Sequence, residues 1–251
     1  MKIYLNGKLV DKADAKVSVF DHGFLYGDGA FEGIRSYNCR VFRLKEHIDR
    51  LYETMHTLMI DPRLTKKQMA DVVLATLRAN KIKDGYIRLI VSRGEGDLGL
   101  DPRKCFGHSS VICITDKITL YPPELYQKGM AIITVPTVKN VPNALNPQLK
   151  SLNYLNNILA KMEASLGGYN EAIMLESNGY IGECTGDNVF VYKDGVLSTP
   201  HLGRLKGITS TAIVELALKM RLKVFEGYIT RHEVYNSQEC FLTGTGAEII
   251  P

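Results

Sequence analysis

Lys150 stands between a proline-led loop and a stretch rich in leucine, tyrosine and asparagine, NPQLKSLNYLNNILAK at residues 146–161. A lysine so placed has two readings. It is a solvated loop residue, or it is an amine held at a pocket wall for nucleophilic or acid–base work. The spacing of Leu152, Tyr154, Leu155, Ile158 and Leu159 predicts a helix that buries that face directly after the lysine. Glu183, in YIGECTGDNVF, interrupts an otherwise apolar strand and is followed by Thr185 and Gly186. A carboxylate there either sits at a strand edge in water or is paired with something buried, such as a protonated ring nitrogen.

Two further stretches suit an anion. LKGITSTAI places Gly207 ahead of an amphipathic helix with Thr209 and Ser210 in its first turn. Free amides and the positive helix end favour a phosphate there, although capping by Thr209 is the plainer reading. FLTGTGAE sets two glycines and two threonines after a strand, where exposed amides could cradle a phosphate or merely form a turn. With a lysine and no nucleotide motif, these features point to a small phosphorylated cofactor.

The elements that must position these groups are legible in part. KIYL and KLV flank Asn6-Gly7, a hairpin signal. KVSVF and AFEGIRSY read as strands, and RLKEHIDRLYETMHTLM and TKKQMADVVLATLRANK as helices, the second capped by Thr65. GYIRLIVSR and SSVICIT are further strands, and Pro122-Pro123 breaks the pattern. Beyond the break lie MAIITVPTV, the lysine stretch, EAIMLES, an Asn178-Gly179 turn, an Asp194-Gly195 hairpin, the helix ITSTAIVELALKM and the strand ECFLTGT. Strands arrive in hairpins, not in strict β-α alternation, which predicts an α+β fold. The expected organisation is an N-terminal α+β subdomain over 1–118, a linker over 119–130 and a cofactor-binding subdomain over 131–251.

The 251 residues are 45% hydrophobic and 23% charged, with a formal charge of +4 and no basic run. Nucleic-acid and membrane partners are therefore not expected. Five scattered cysteines without a C-x-x-C pair argue against a disulfide framework and a metal site, and for a cytoplasmic protein. RGEGDLG carries Gly94, Gly96 and Gly99 in the dinucleotide order after a strand, but LDPRKCFGHSS follows it in place of a helix. It reads as a flexible loop.

LYGDGAFEGIR, FRLKEHIDRL, YIRLIVSRG, KSLNYLNN, GECTGDNVF, LKGITSTAI and TGTGAE occur in an order that resembles class IV (fold type IV) pyridoxal-phosphate aminotransferases, most of all the branched-chain amino acid aminotransferases. The resemblance covers essentially the whole chain. It implies that Lys150 carries pyridoxal 5′-phosphate and shuttles the substrate proton, and that Glu183 keeps the ring nitrogen protonated. Arg50, Gly186, Gly207, Ile208, Thr209 and Thr245 would complete the cofactor site, with Arg50 on the phosphate and Tyr154 at the ring hydroxyl. By its own spacing Arg50 reads as a surface partner of Glu46. Tyr26, Phe31, Gly33, Tyr86 and Arg88 would line the substrate pocket, and Tyr86, Arg88, Gly246 and Ala247 would lie near the α-carboxylate.

The implied reaction exchanges amino groups between leucine, isoleucine or valine and 2-oxoglutarate, in a homodimer or larger homo-oligomer. D-amino acid aminotransferase and aminodeoxychorismate lyase are the rivals within the family, and a cofactor-free binding protein on the same fold is a rival outside it. The sequence departs from the family at Gly246, where alanine is usual, and in TPHLGRLKGIT, which looks short. Family members are also expected to continue past the position of Pro251.

Overall fold

The computed structural model describes all 251 residues and divides into two compact units, residues 1–118 with 149–153 and residues 119–148 with 154–251.

The first unit opens with β1 (Lys2–Leu5) and β2 (Lys8–Asp11), joined at Asn6 and Gly7, both with positive φ. A two-residue turn of this kind matches the twist of the strands it joins. KVSVF forms no strand; a short helix α1 (His22–Tyr26) follows it, capped by Asp21. Next come β3 (Gly29–Tyr37), β4 (Arg40–Val41), α2 (Leu44–Thr57), α3 (Lys66–Ala79), β5 (Gly85–Ser92) and β6 (Ser110–Asp116). Thr65 caps α3 in a reciprocal box with Gln68. The six strands form one antiparallel sheet in the order β2-β1-β6-β5-β3-β4. Ala30, Ile34, Ile87, Leu89 and Val91 pack with Ile48, Leu51, Met55, Met69 and Val73 of α2 and α3. By strand alternation, Phe31, Gly33, Tyr86 and Arg88 point to the opposite face.

Lys150 belongs to this first unit, and it is not in a helix. Residues 149–153 run extended beside β3: Phe31 N donates to Lys150 O at 3.0 Å and Leu152 N donates to Gly29 O at 2.9 Å. Leu152 also lies where side chains on Gly23 and Gly29 would be. This pairing, which sequence separation hides, outweighs the local apolar periodicity.

The second unit begins with α4 (Pro123–Lys128), inside the stretch that reads as linker, then β7 (Ile132–Thr134), α5 (Pro142–Leu145) and α6 (Leu155–Leu166). β8 (Glu171–Leu175), β9 (Ile181–Cys184), β10 (Asn188–Lys193) and β11 (Val196–Pro200) precede α7 (Ile208–Lys219), β12 (Lys223–Gly227), α8 (Arg231–Tyr235), β13 (Glu239–Gly244) and β14 (Glu248–Ile250). They make a three-stranded sheet β7-β8-β9 and a five-stranded sheet β12-β11-β10-β13-β14. A shared core includes Ile173, Ile181, Cys184, Val189 and Leu242.

The expected burial of the α6 stripe is reversed. Ala160 and Ala164 pack with Val135, Ala172 and Met174, while Leu155, Ile158, Leu159, Met162 and Leu166 are exposed, Leu166 at 88%. Small residues let α6 approach β8 closely, so the larger side chains take the other face. No helix is long and apolar enough to cross a membrane.

Candidate active site

Each unit holds a cluster of the residues that the sequence singles out. In the first, Phe31 is the centre. Lys150 Nζ lies 4.6 Å from its ring centroid, and the Arg88 guanidinium lies 4.6 Å from the same centroid and 5.4 Å from that of Tyr86. The β3–β5 register sets Gly33 opposite Arg88 and Arg35 opposite Tyr86. A Cβ on Gly33 would come within 2.2 Å of the Tyr86 hydroxyl oxygen, so glycine is what lets the tyrosine lie across β3. Two cations beside one aromatic ring make an electropositive patch against an apolar wall, suited to a carboxylate attached to an apolar chain. Lys150 N also donates to Thr54 Oγ1 at 3.3 Å, which fixes the lysine backbone to α2.

Tyr26 is engaged elsewhere in this unit. Its hydroxyl donates to the Leu98 carbonyl, and its ring meets His22 edge-on at 5.2 Å. It anchors the glycine-rich loop, which opens no helix at Gly99 and is followed by a 3-10 turn at Pro102–Lys104.

Arg50 is not a surface partner of Glu46, which lies 3.9 Å from Arg43 instead. It is buried on α2, and its Nε and Nη2 donate to the two oxygens of Glu32, each at 2.8 Å. His47 Nδ1 adds a third bond to Glu32 at 2.7 Å. An ionised carboxylate offers only lone pairs, so Nδ1 carries the hydrogen. Burial pushes the Glu32 carboxyl up, but the Arg50 charge and the bonds from Arg50 and His47 prevail and hold it at about 2. Glu32 interrupts an apolar strand as Glu183 does, and that signal could have found it.

The second cluster centres on Glu183 of β9. Lys139 Nζ lies 2.7 Å from Oε1, while Asn188 Nδ2 and Leu205 N each donate to Oε2 at 3.0 Å. The Asn188 amide also donates to Leu205 O at 2.9 Å. Its Oδ1 lies 2.0 Å from where a Cβ on Gly207 would be. Gly207 is the N-cap of α7 and no side chain caps that helix, so capping by Thr209 is excluded. The first-turn amides of Ile208, Thr209 and Ser210 have no intrahelical acceptor and remain available to an anion. One asparagine thus bridges the acidic group and the segment that leads into the helix end. Lys139, Asn188 and Leu205 were not legible as site residues, since Lys139 lies in a loop with no pattern around it.

Glycines on the same unit keep space open. A Cβ on Gly186 would meet nothing within 4 Å, and one on Gly246 would meet only Leu120 at 3.5 Å. Packing does not demand either glycine, which fits a ligand surface. At Gly244, by contrast, a Cβ would fall 1.8 Å from Asp187 Oδ1. Thr245, Gly246 and Ala247 form the turn between β13 and β14, with Ala247 buried. Thr185 receives its position from buried Glu171, which accepts from Thr185 N at 3.1 Å and Thr185 Oγ1 at 2.6 Å. Asn157 Nδ2 donates to Thr185 O at 2.7 Å. Tyr154 is the N-cap of α6 and half-buried. An anion end, an acceptor for a ring nitrogen and open glycine surfaces are what pyridoxal 5′-phosphate needs from this unit.

The family description "Amino-transferase class IV" matches residues 29–251. A Methanocaldococcus jannaschii protein with a provisional branched-chain-amino-acid aminotransferase name is 55% identical over 100% of this chain and 86% of its own. The Pseudomonas aeruginosa branched-chain-amino-acid aminotransferase is 35% identical over 99% of this chain and 83% of its own. Among solved structures, the branched-chain amino acid aminotransferase of Escherichia coli superposes with a TM-score of 0.96 at 34% identity, covering 100% of this chain and 84% of that one. The Thermoproteus uzoniensis branched-chain aminotransferase with norvaline gives 0.93 at 36% identity, covering 100% and 86%. This chain belongs to the class IV aminotransferases.

Proposed function

We propose that the protein is a branched-chain amino acid aminotransferase that uses pyridoxal 5′-phosphate to exchange amino groups between leucine, isoleucine or valine and 2-oxoglutarate. The observation that carries this reading is the Lys150–Phe31–Arg88 group, with both cations 4.6 Å from one ring. The ring is a wall for an apolar side chain, and Arg88 is a counter-ion for a carboxylate. A structurally related branched-chain amino acid aminotransferase was crystallised with N-(5′-phosphopyridoxyl)-L-glutamate, which fits the acidic half of such a reaction.

When bound, the cofactor supplies an electrophilic carbonyl and a protonated ring that accepts the electron pair released at the substrate Cα. Lys150 Nζ carries the cofactor and, once released, moves the proton at Cα. Arg50, the amides of Ile208 and Thr209, and the hydroxyls of Thr209 and Thr245 bind the phosphate. Glu183 holds the proton on the ring nitrogen, and Tyr154 orients the ring through its hydroxyl. Gly186 and Gly207 leave room for the cofactor. Tyr26, Phe31 and Gly33 shape the side-chain pocket, and Tyr86, Arg88 and the amides of Gly246 and Ala247 hold carboxylates.

The exposed α6 stripe, with Leu155 at 67% and Leu166 at 88%, supports a homodimer or larger homo-oligomer. Light scattering of wild type against Leu159→Lys checks this. Five unpaired cysteines support a cytoplasmic protein.

The decisive experiment follows the visible spectrum of the holoenzyme with L-leucine, L-glutamate and D-alanine in parallel. L-leucine and L-glutamate should convert the cofactor and D-alanine should not. Reaction with D-alanine alone means a D-amino acid aminotransferase, and reaction with none of the three sinks the transaminase reading. Lys150→Ala should abolish turnover while thermal unfolding stays close to wild type, because Lys150 carries no core packing. Turnover near the wild-type rate would overturn its role.

A further inference from the structure

The Glu183–Lys139 pair is costly where it is. The Lys139 side chain keeps only 4% of its surface and that of Glu183 only 9%, with Nζ 2.7 Å from Oε1. Buried ion pairs are commonly replaced by apolar residues without loss of stability, so stability gives little reason to keep one. Backbone geometry nonetheless aims this lysine. Lys139 N donates to Leu175 O at 2.8 Å, which pins its loop to β8. Gly182 leaves room beside it, a Cβ there falling 3.7 Å from that of Lys139 and 3.0 Å from Gly203 O.

The other charges around Glu183 are already committed. Arg204, whose guanidinium also feels the Glu183 charge, donates to Glu226 Oε2 at 2.8 Å, to the Pro200 carbonyl and to Ser210 Oγ at 3.4 Å. Neighbouring Cys184 is buried, and Asp187 and Glu171 beside it add only negative charge. Lys139 is therefore the cation in direct contact with Glu183. A carboxylate has about four lone-pair directions. Lys139, Asn188 and Leu205 take three, and the one left lies on Oε1, the oxygen that Lys139 holds.

We propose that Lys139 is a positioning residue for the reaction: its ammonium keeps Glu183 ionised, so that a proton shared between Oε1 and the cofactor ring nitrogen resides on the nitrogen. This rests on the cofactor reading given above. The physical reason is proximity. A positive charge at 2.7 Å directly stabilises the ionised carboxylate. Without it, a carboxylate in a dry site takes the proton for itself and leaves the ring nitrogen neutral. A neutral ring is a poor electron sink, and proton removal at the substrate Cα slows. No bond is made or broken at Lys139; it changes only where one proton sits.

Four variants separate the charge from the packing: Lys139→Met, Lys139→Gln, Lys139→Arg and the double Lys139→Met with Glu183→Gln. Infrared spectra of the full chain before cofactor is added should show a protonated buried carboxyl at neutral pH in Lys139→Met and Lys139→Gln. That band should be absent from wild type, Lys139→Arg and the double variant. In the holoenzyme made with ¹⁵N-labelled pyridoxal 5′-phosphate, the ring-nitrogen shift should move toward the neutral form in Met and Gln and stay in Arg. The L-leucine half-reaction should slow about tenfold or more in Met and Gln and recover in Arg.

Should Lys139→Met fail to fold, Lys139→Gln keeps a donor at Oε1 and carries the same test. Infrared spectra and nitrogen shifts that match wild type in every folded variant overturn the proposal, as does an equal slowing in Lys139→Arg. If wild type itself fails to react with L-leucine, the proposed function fails, while the infrared result still decides whether Lys139 holds the charge of Glu183.

Discussion

Each unit contains one buried glutamate that interrupts an apolar strand, and each glutamate receives three donors. Glu32 takes two from Arg50 and one from His47. Glu183 takes one each from Lys139, Asn188 and Leu205. The difference lies in access and in what the donors are. Glu32 is sealed, with 0% of its side chain exposed, and its fork-on-fork pair orients Arg50. Each carboxylate has one acceptor direction left, but only Glu183 keeps a little surface and a link through Asn188 toward the helix end at Gly207. Burial and pairing alone therefore do not mark a reactive carboxylate. What sets Glu183 apart is access to its remaining acceptor and the helix end nearby.

The largest expected effect comes from breaking the sealed member. Glu32→Gln neutralises the buried carboxylate to which Arg50 and His47 donate and should cost about 3–5 kcal/mol in chemical denaturation. It should also weaken cofactor binding, since Arg50 loses its aim. Acid should act on the same pair. The folded Glu32 value, about 2, lies below its ordinary 4.5, so its stabilisation is complete above the ordinary value and is lost as pH falls toward 2. Unfolding free energy should drop by a few kcal/mol over that interval in wild type and by less in Glu32→Gln. Equal acid profiles would remove Glu32 from the account.

Glu183→Gln sharpens the contrast, because here chemistry suffers as well as stability. With the ring-nitrogen partner neutral, proton removal should slow roughly tenfold to hundredfold, the equivalent of about 1.5–3 kcal/mol. Adding Lys139→Met should recover folding stability without recovering the rate. An unchanged visible spectrum and unchanged kcat in Glu183→Gln would make the two glutamates alike.

Gly207→Ala probes the link between carboxylate and helix end. Its Cβ would fall 2.0 Å from Asn188 Oδ1, so Asn188 must shift and take Glu183 and Leu205 with it. Overpacking of this kind costs about 1–3 kcal/mol. Cofactor affinity, measured by equilibrium titration, should fall more than thermal stability does. Gly186→Ala, where a Cβ meets nothing, is the matched control for folding.

The smallest effect is a difference between substrates. Arg88→Met keeps the stem over Phe31 and deletes the charge. It should slow the L-glutamate half-reaction about tenfold more than the L-leucine one, if Arg88 serves the acidic side chain. Equal losses would assign Arg88 to the carboxylate that both substrates share.

Much of this was readable from local pattern. The Asn6-Gly7 hairpin, the Thr65 cap with Gln68, and the Gly207 entry to α7 depend on a few adjacent residues, and each formed as its chemistry dictates. GYIRLIVS reads as a buried strand, and the structure refines this: Ile87, Leu89 and Val91 pack in the core while Tyr86 and Arg88 lie on the other, half-buried face. KVSVF failed because alternation without a pairing partner does not make a strand. The α6 stripe failed because periodicity reports which residues share a face, not which face meets the protein.

The sequence by itself determined the kinds of group available: one amine beside a helix, carboxylates in apolar strands, and glycine-led anion ends. Those follow from residue type and spacing, which act over one or two turns. Tertiary structure alone decided the partners. It set Lys150 beside β3, turned Arg50 inward onto Glu32, and brought Lys139 to Glu183 across 44 positions of chain. Partnerships of that range depend on sheet pairing and close packing, and no local pattern encodes which distant charge will fill the space.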